Sequence, residues 1–132
     1  MTFAPEFLSV EDVVLLHEQQ VARYGGGTGV RDPASLDAAV ATPRATFEGQ
    51  FLHDDLLHMA AAYAFHIAQD QPFVDGNKRT GLLAALVFLE LNGVSILDPQ
   101  GRLYQAMIDL AEHRLDKAGL AETLRELSTT TP

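Results

Sequence analysis

Two stretches that are apolar on nearly every helical face, joined by a connection of a few residues, constrain this chain more than anything else in it. The first runs from about Asp54 to Gln69 and carries Leu56, Leu57, Met59, Ala60, Ala61, Ala62, Tyr63, Ala64, Phe65 and Ile67. The second runs from about Lys78 to Leu91 through Leu82, Leu83, Leu86, Val87, Phe88 and Leu89, and Asn92-Gly93 closes it. Helices apolar all round are buried ones, and their alanines let two backbones approach closely. The connection from Asp70 to Asn77 is short enough to make them antiparallel neighbours. The expectation is an all-α fold, one compact domain over residues 1–132 around a central antiparallel helix pair, with Asp70 to Asn77 at one end of it.

The remaining segments punctuate in the same helical language. Ser9 is a good N-cap, and Val10, Val13, Val14, His17, Val21 and Tyr24 form a stripe at helical spacing. Gly25-Gly26-Gly27 stops that helix; following a helix rather than a strand, it reads as a terminator and not as a dinucleotide loop. Asp32-Pro33 starts a short helix that Thr42-Pro43 interrupts. Pro43 to His53 shows no convincing period and reads as an irregular connection. Asp98-Pro99 is expected to open a helix with Leu103, Met107, Leu110 and Ala111 inward, and a last helix is capped near Asp116. Val94 to Leu97 could be extended, and Ser128 to Pro132 is a polar end.

Composition narrows the function. Eighteen acidic against nine basic residues give a formal charge of −9 and a pI near 4.8, a surface that repels phosphate backbones and argues against direct binding to DNA or RNA. With no cysteine, the chain has no disulfide, thiolate metal site or cysteine nucleophile. No basic region followed by an apolar stretch opens it, and Gly81 to Leu89 is far short of the ~20 residues that span a bilayer. A cytoplasmic protein without membrane association is expected. His17 reads as a hydrogen-bonded, partly buried histidine, the trio Asp54, Asp55 and His58 as helix capping rather than a metal site, and His53 and His113 have no partners at ligand spacing.

Of only two lysines, Lys78 and Lys117, the first sits beside Arg79 in the string Gln71-Pro72-Phe73-Val74-Asp75-Gly76-Asn77-Lys78-Arg79-Thr80. Cations in the first turn of a helix face the positive end of its dipole and are normally disfavoured. Here two of them follow a glycine that permits a tight turn. Two readings are open at this point: a basic pair on the surface with local acidic partners, or free amides, Lys78 and Arg79 converging on phosphate oxygens. In the second reading Asp75 supplies a hard oxygen ligand for Mg²⁺ on those phosphates, and Phe73 anchors the loop to the core. The string is not a P-loop, since it lacks that motif's first glycine and a preceding strand.

This segment resembles the signature of the Fic/Doc (Fido) superfamily, HPFxDGNxR, and its Lys-Arg-Thr ending is similar to the death-on-curing (Doc) branch. The likeness extends to Leu16-His17-Glu18, Arg23-Tyr24-Gly25-Gly26, Val30-Arg31-Asp32-Pro33 and Leu86-Val87-Phe88-Leu89 with Asn92-Gly93. The resemblance implies an all-α Fido fold and transfer of a phosphate-containing group from a nucleotide, ATP with Mg²⁺, to a protein hydroxyl. Most Fic relatives adenylylate their targets. The Doc branch phosphorylates elongation factor Tu and is restrained by an antitoxin protein. By position, the resemblance gives Asp75 the metal and Gly76, Asn77 and Arg79 the anion pocket. It places Lys78 where adenylylating relatives carry glycine, which favours the Doc-like kinase. The family's peptide-docking flap falls within Ala41 to Phe51.

At the first motif position the family has a histidine, the general base, and this chain has Gln71. An amide orients a hydroxyl but cannot take its proton at neutral pH. Losing a positioned base costs roughly 10²–10⁴-fold in rate. Gln71 therefore reads in three ways: a natural pseudoenzyme or very slow enzyme that still binds nucleotide or partner, a substitution that makes a toxic protein harmless, or a site whose base comes from elsewhere. His66 and Asp70 are weak candidates for a replacement.

Overall fold

The computed structural model describes residues 3–129; of the polar end, residues 130–132 lie outside them. Among the described residues six α-helices carry the fold: α1 (Val10–Tyr24), α2 (Pro33–Ala41), α3 (Leu56–Asp70), α4 (Asn77–Leu91), α5 (Arg102–Ala111) and α6 (Lys117–Leu127). The expected all-α architecture is what the chain adopts. Among the described residues the only strands are the two-residue β1 (Thr46–Phe47) and β2 (Gln50–Phe51).

The central pair is α3 and α4. Met59 to Ala64, Ile67 and Ala68 of α3 are buried, as are Gly81, Ala84, Ala85, Phe88 and Leu89 of α4. The two backbones touch where Gly81 crosses α3, for a methyl group there would sit 2.8 Å from the carbonyl oxygen of Ala64. Small residues are thus required at the crossing, which is why these helices are rich in alanine. Helices α2, α5 and α6 also pack on α3, and α1 lies on α4. The buried Tyr63 hydroxyl accepts from the Leu8 amide at 2.9 Å and ties the segment before α1 to the centre.

Local chemistry explains most helix starts. Ser9 and Asp12 form a reciprocal capping box on α1, and Asp32, Asp55 and Asp116 cap α2, α3 and α6 through their side chains. Two expectations need correction. Asp98-Pro99 does not open α5. The helix begins at Arg102 after a left-handed Gly101, and the Asp98 carboxylate reaches forward to the amides of Arg102 and Leu103. Nor is Pro43 to His53 merely irregular. It holds a 3₁₀ turn (Thr42–Arg44) and a hairpin pairing Thr46 with Phe51 and Phe47 with Gln50. Glu48 and Gly49 turn it with φ of 52° and 81°, the pair of positive angles that a two-residue hairpin turn requires. Strands of two residues are too short to show alternation.

Candidate active site

The loop between α3 and α4 is shaped by two left-handed residues. Helix α3 ends at Asp70, and Gln71 turns the chain with φ 48° and ψ 57°. Gly76 turns it again (φ 76°) to start α4. Between them Phe73 is buried, its ring stacked on that of His17 at 3.9 Å. His17, buried on α1, also places Nε2 2.8 Å from the main-chain oxygen of Asp75. The side chain of Asn77 turns back into the loop, where its oxygen accepts from the Phe73 amide and its nitrogen donates to the Phe73 carbonyl, both at 3.0 Å. What Asn77 offers to the loop's outer face is therefore its main-chain amide.

A second segment runs antiparallel to this loop and clamps it. The amides of Arg31 and Asp32 donate to the Pro72 carbonyl at 2.7 and 3.1 Å, and Val74 donates to Gly29 at 3.1 Å, with Val30 bridged to Phe73. The Arg31 guanidinium donates to the carbonyls of Gln71 and Asp70. Just upstream, the glycine run does more than terminate α1. A methyl group on Gly26 would lie 2.7 Å from Asp75 Oδ2, and one on Gly27 would lie 2.8 Å from a Val74 methyl. The second and third glycines are the clearance that lets Asp75 approach, a contact between segments far apart in the chain that no local signal reveals.

Electrostatically, the start of α4 stands apart. No side chain caps it, and its first backbone bond runs from Thr80 to Gly76. The amides of Asn77, Lys78 and Arg79 thus face outward with the dipole's positive end behind them. Asp75 Oδ1 accepts from the Gly76 amide at 2.8 Å, and Oδ2 sits 3.4 Å from the Gly27 amide. Among the described residues neither Lys78 nor Arg79 forms an ion pair. Arg79 lies over the ring of Tyr24, its guanidinium carbon 4.4 Å from the centroid, which holds the cation without neutralising it. A cavity of about 290 Å³ opens here, lined by Gln71, Asp75, Gly76, Lys78, Arg79 and, from α5, Tyr104.

These residues fit a magnesium-bound polyphosphate. One carboxylate suits a hard cation that takes its remaining ligands from water and phosphate. Free amides and two unpaired cations on the same wall suit the phosphate oxygens. Tyr24 and Tyr104 were missed as site residues. Tyr24 counted as part of the α1 stripe, yet it is 53% exposed, and Tyr104 is an outward residue of α5, 59% exposed, that only the packing of α5 beside α4 brings to the cavity.

Other polar groups go elsewhere. Helix α3 continues past His66, whose Nε2 is 3.1 Å from Lys117 Nζ; His53 Nε2 meets the same ammonium at 3.0 Å. Burial, reinforced by Lys117, lowers the His66 pKa to about 4, and burial likewise lowers those of His53 and Lys117. Asp55 caps α3 and binds Arg125. Although burial raises its pKa, the hydrogen bonds from His58 and Arg125 outweigh that and bring it to about 2. The geometric trio Asp54, Asp55 and His58 is thereby engaged in capping and ion pairing. No helix among the described residues is long and apolar enough to cross a membrane.

Comparison with known proteins gives a consistent pattern. Residues 7–89, from before α1 to the last turn of α4, match the family described as Fic/DOC. "Protein kinase doc" of Escherichia phage P1 is 33% identical over 120 residues, covering 91% of this chain and 94% of that protein. "Toxin Doc" of Mycolicibacterium smegmatis is 45% identical over 91 residues, covering 69% of this chain and 68% of its own length.

Proposed function

The chain belongs to the Fic/Doc family, and from that membership we propose that it is a Doc-like toxin, restrained by an antitoxin partner, whose site handles phosphoryl transfer from a nucleotide to a protein hydroxyl. The observation that carries this reading is the uncapped start of α4, where Lys78 and Arg79 stand free of carboxylates beside Asp75 around one cavity. The free amides and Arg79 hold phosphate oxygens, and Lys78 offsets charge on the transferred group. Asp75 holds Mg²⁺, which supplies charge neutralisation when bound. His17, Asn77 and the Gly29–Asp32 segment fix the loop beforehand, so that little reorganisation accompanies transfer. Elongation factor Tu, the target of the Doc branch, is the acceptor we propose, met in the cytoplasm. The β1–β2 hairpin, within the interval expected for the flap, is the element we assign to docking its peptide.

Gln71 supports a second reading, a nucleotide- or partner-binding protein with little turnover. Its side chain stands where the family's base stands and lines the cavity, and His66 is drawn away to Lys117. One experiment separates the readings from each other and from adenylylation: transfer of label from γ- and α-labelled ATP with Mg²⁺ to elongation factor Tu, by this chain and by Gln71→His. The proposal expects γ-label alone to be transferred, with the histidine variant faster by about 10²-fold or more. Transfer of α-label overturns the kinase assignment. Equal, robust transfer by both proteins overturns the impairment by Gln71. Failure of Mg²⁺-ATP to raise the Tm of either overturns the phosphate site.

A further inference from the structure

Gln71 is not a glycine, yet its φ is 48°. A left-handed backbone is unfavourable for a residue with a side chain and persists where surrounding contacts over-determine it. The Gln71 amide still closes the last turn of α3 on the Ile67 carbonyl at 3.2 Å, and the contacts from outside the helix to the carbonyls of residues 70 and 71 come from one side chain. Arg31 Nε donates to the Gln71 carbonyl at 2.8 Å, and Nη2 donates to the Gln71 and Asp70 carbonyls at 2.6 and 3.0 Å. A guanidinium at a helix C-terminus also meets the negative end of the dipole of α3.

The bracing of the loop divides into two halves. Downstream, Phe73 to Gly76 are held by His17, by the side chain of Asn77 and by main-chain bonds to Gly29, none of which uses the Arg31 side chain. The Pro72 carbonyl is held by main-chain amides, those of Arg31 and Asp32. Only upstream, at Asp70 and Gln71, is the guanidinium the partner. The phosphate wall and residue 71 are therefore positioned by separate groups.

We propose that Arg31 is a positioning residue: its guanidinium fixes the backbone turn at position 71 and so aims whatever side chain stands there at the acceptor hydroxyl, without setting the phosphate pocket. This rests on the transfer reading above. Lysine cannot reproduce the role in full, because a point ammonium cannot set two nitrogens of one planar fork on the Gln71 carbonyl, as Nε and Nη2 are set, while also reaching Asp70.

The test uses the full chain carrying Gln71→His, alone and with Arg31→Ala or Arg31→Lys. The expected result is a loss in kcat of about 10- to 100-fold for Arg31→Ala, the scale of a misplaced reacting group. KM for Mg²⁺-ATP should stay within about twofold, and Arg31→Lys should fall between. A second readout needs no turnover: in the wild-type chain and in Arg31→Ala, NMR three-bond HN–Hα couplings and amide exchange report the backbone at 71 and at 73–77. Loss of the left-handed value at 71 with residues 73–77 unchanged supports the assignment. An unchanged turn at 71, an unchanged kcat, or parallel loss of kcat, ATP affinity and Tm overturns it. If Gln71→His transfers nothing, the transfer reading fails, and the NMR comparison alone decides whether Arg31 holds the turn.

Discussion

His17 on α1 and Asp75 in the α3–α4 loop are joined through a ring nitrogen and a main-chain oxygen 2.8 Å apart, with the imidazole stacked on Phe73 beneath. A carbonyl held this way fixes the peptide that carries the Asp75 carboxylate. The His17→Ala variant leaves that oxygen without its partner and opens a void beside Phe73. Destabilisation of roughly 2–4 kcal/mol is the scale of those two losses together. Beyond the lowered Tm, the additional stabilisation by Mg²⁺-ATP should shrink relative to wild type. A His17→Ala protein that melts early yet gains as much from Mg²⁺-ATP as wild type would confine His17 to packing.

Gly26 and Gly29 both have φ near 100°, at 111° and 99°, so an alanine at either meets the same backbone cost. Only at Gly26 would the new methyl press on the Asp75 carboxylate, since nothing lies within 4 Å of that position at Gly29. Both variants should lose about 1 kcal/mol of stability, whereas only Gly26→Ala should weaken Mg²⁺-dependent nucleotide binding. Isothermal titration with ATP, with and without Mg²⁺, checks this. Equal binding by the two variants would remove the metal role from Asp75.

Arg79→Ala should reduce ATP affinity by about 10-fold or more, since a hydrogen bond to a charged group contributes roughly 1.5–3 kcal/mol. Lys78→Ala should act in the same direction. Lys117, the only other lysine, is a poor control despite its distance from the motif, because it is wedged between His53 and His66. Arg102, paired with Glu126 at 2.9 Å, removes the same charge from an exposed site. Equilibrium binding of labelled ATP to Arg79→Ala and Arg102→Ala decides, and equal losses would reduce the effect to net charge.

How far the site was legible in the sequence follows from which contacts are local. The string Gln71 to Thr80 announced itself because two cations at a helix start are unusual, and Ser9, Asp32, Asp55 and Asp116 mark helix starts by chemistry confined to one turn. The brace of Arg31, the clearance at Gly26 and the approach of Tyr104 arise between segments that meet only after folding. The hairpin at Thr46 to Phe51 escaped for a different reason, being too short to carry a period. Asp98 misled because its carboxylate does cap a helix, three residues further on than an N-cap would.

The cluster around Lys117 makes the fold sensitive to acid. Burial, then the Lys117 ammonium, holds His66 at about 4 against an ordinary 6.5, with Asp70 pulling the other way. His53 is lowered in the same direction by burial, Lys117 and His58, opposed by Asp54. Between pH 6.5 and 4 the unfolded chain takes up protons that these two histidines refuse in the folded chain, so stability rises with pH in that window and their contribution is level above it. Asp55, held at about 2 against an ordinary 3.8, stays ionised in the folded chain while the unfolded chain begins to protonate it below about pH 5, so it adds slope of the same sign at the acid end. The Tm should therefore fall as pH drops from 7 to 4.5. A change of about 1 kcal/mol moves Tm by roughly 2–8 °C in domains of this size, and a fall of that order is expected. His66→Gln keeps a neutral partner for Lys117 and should flatten most of the slope. If the slope survives that substitution unchanged, acid sensitivity arises elsewhere and burial beside Lys117 does not hold His66 neutral.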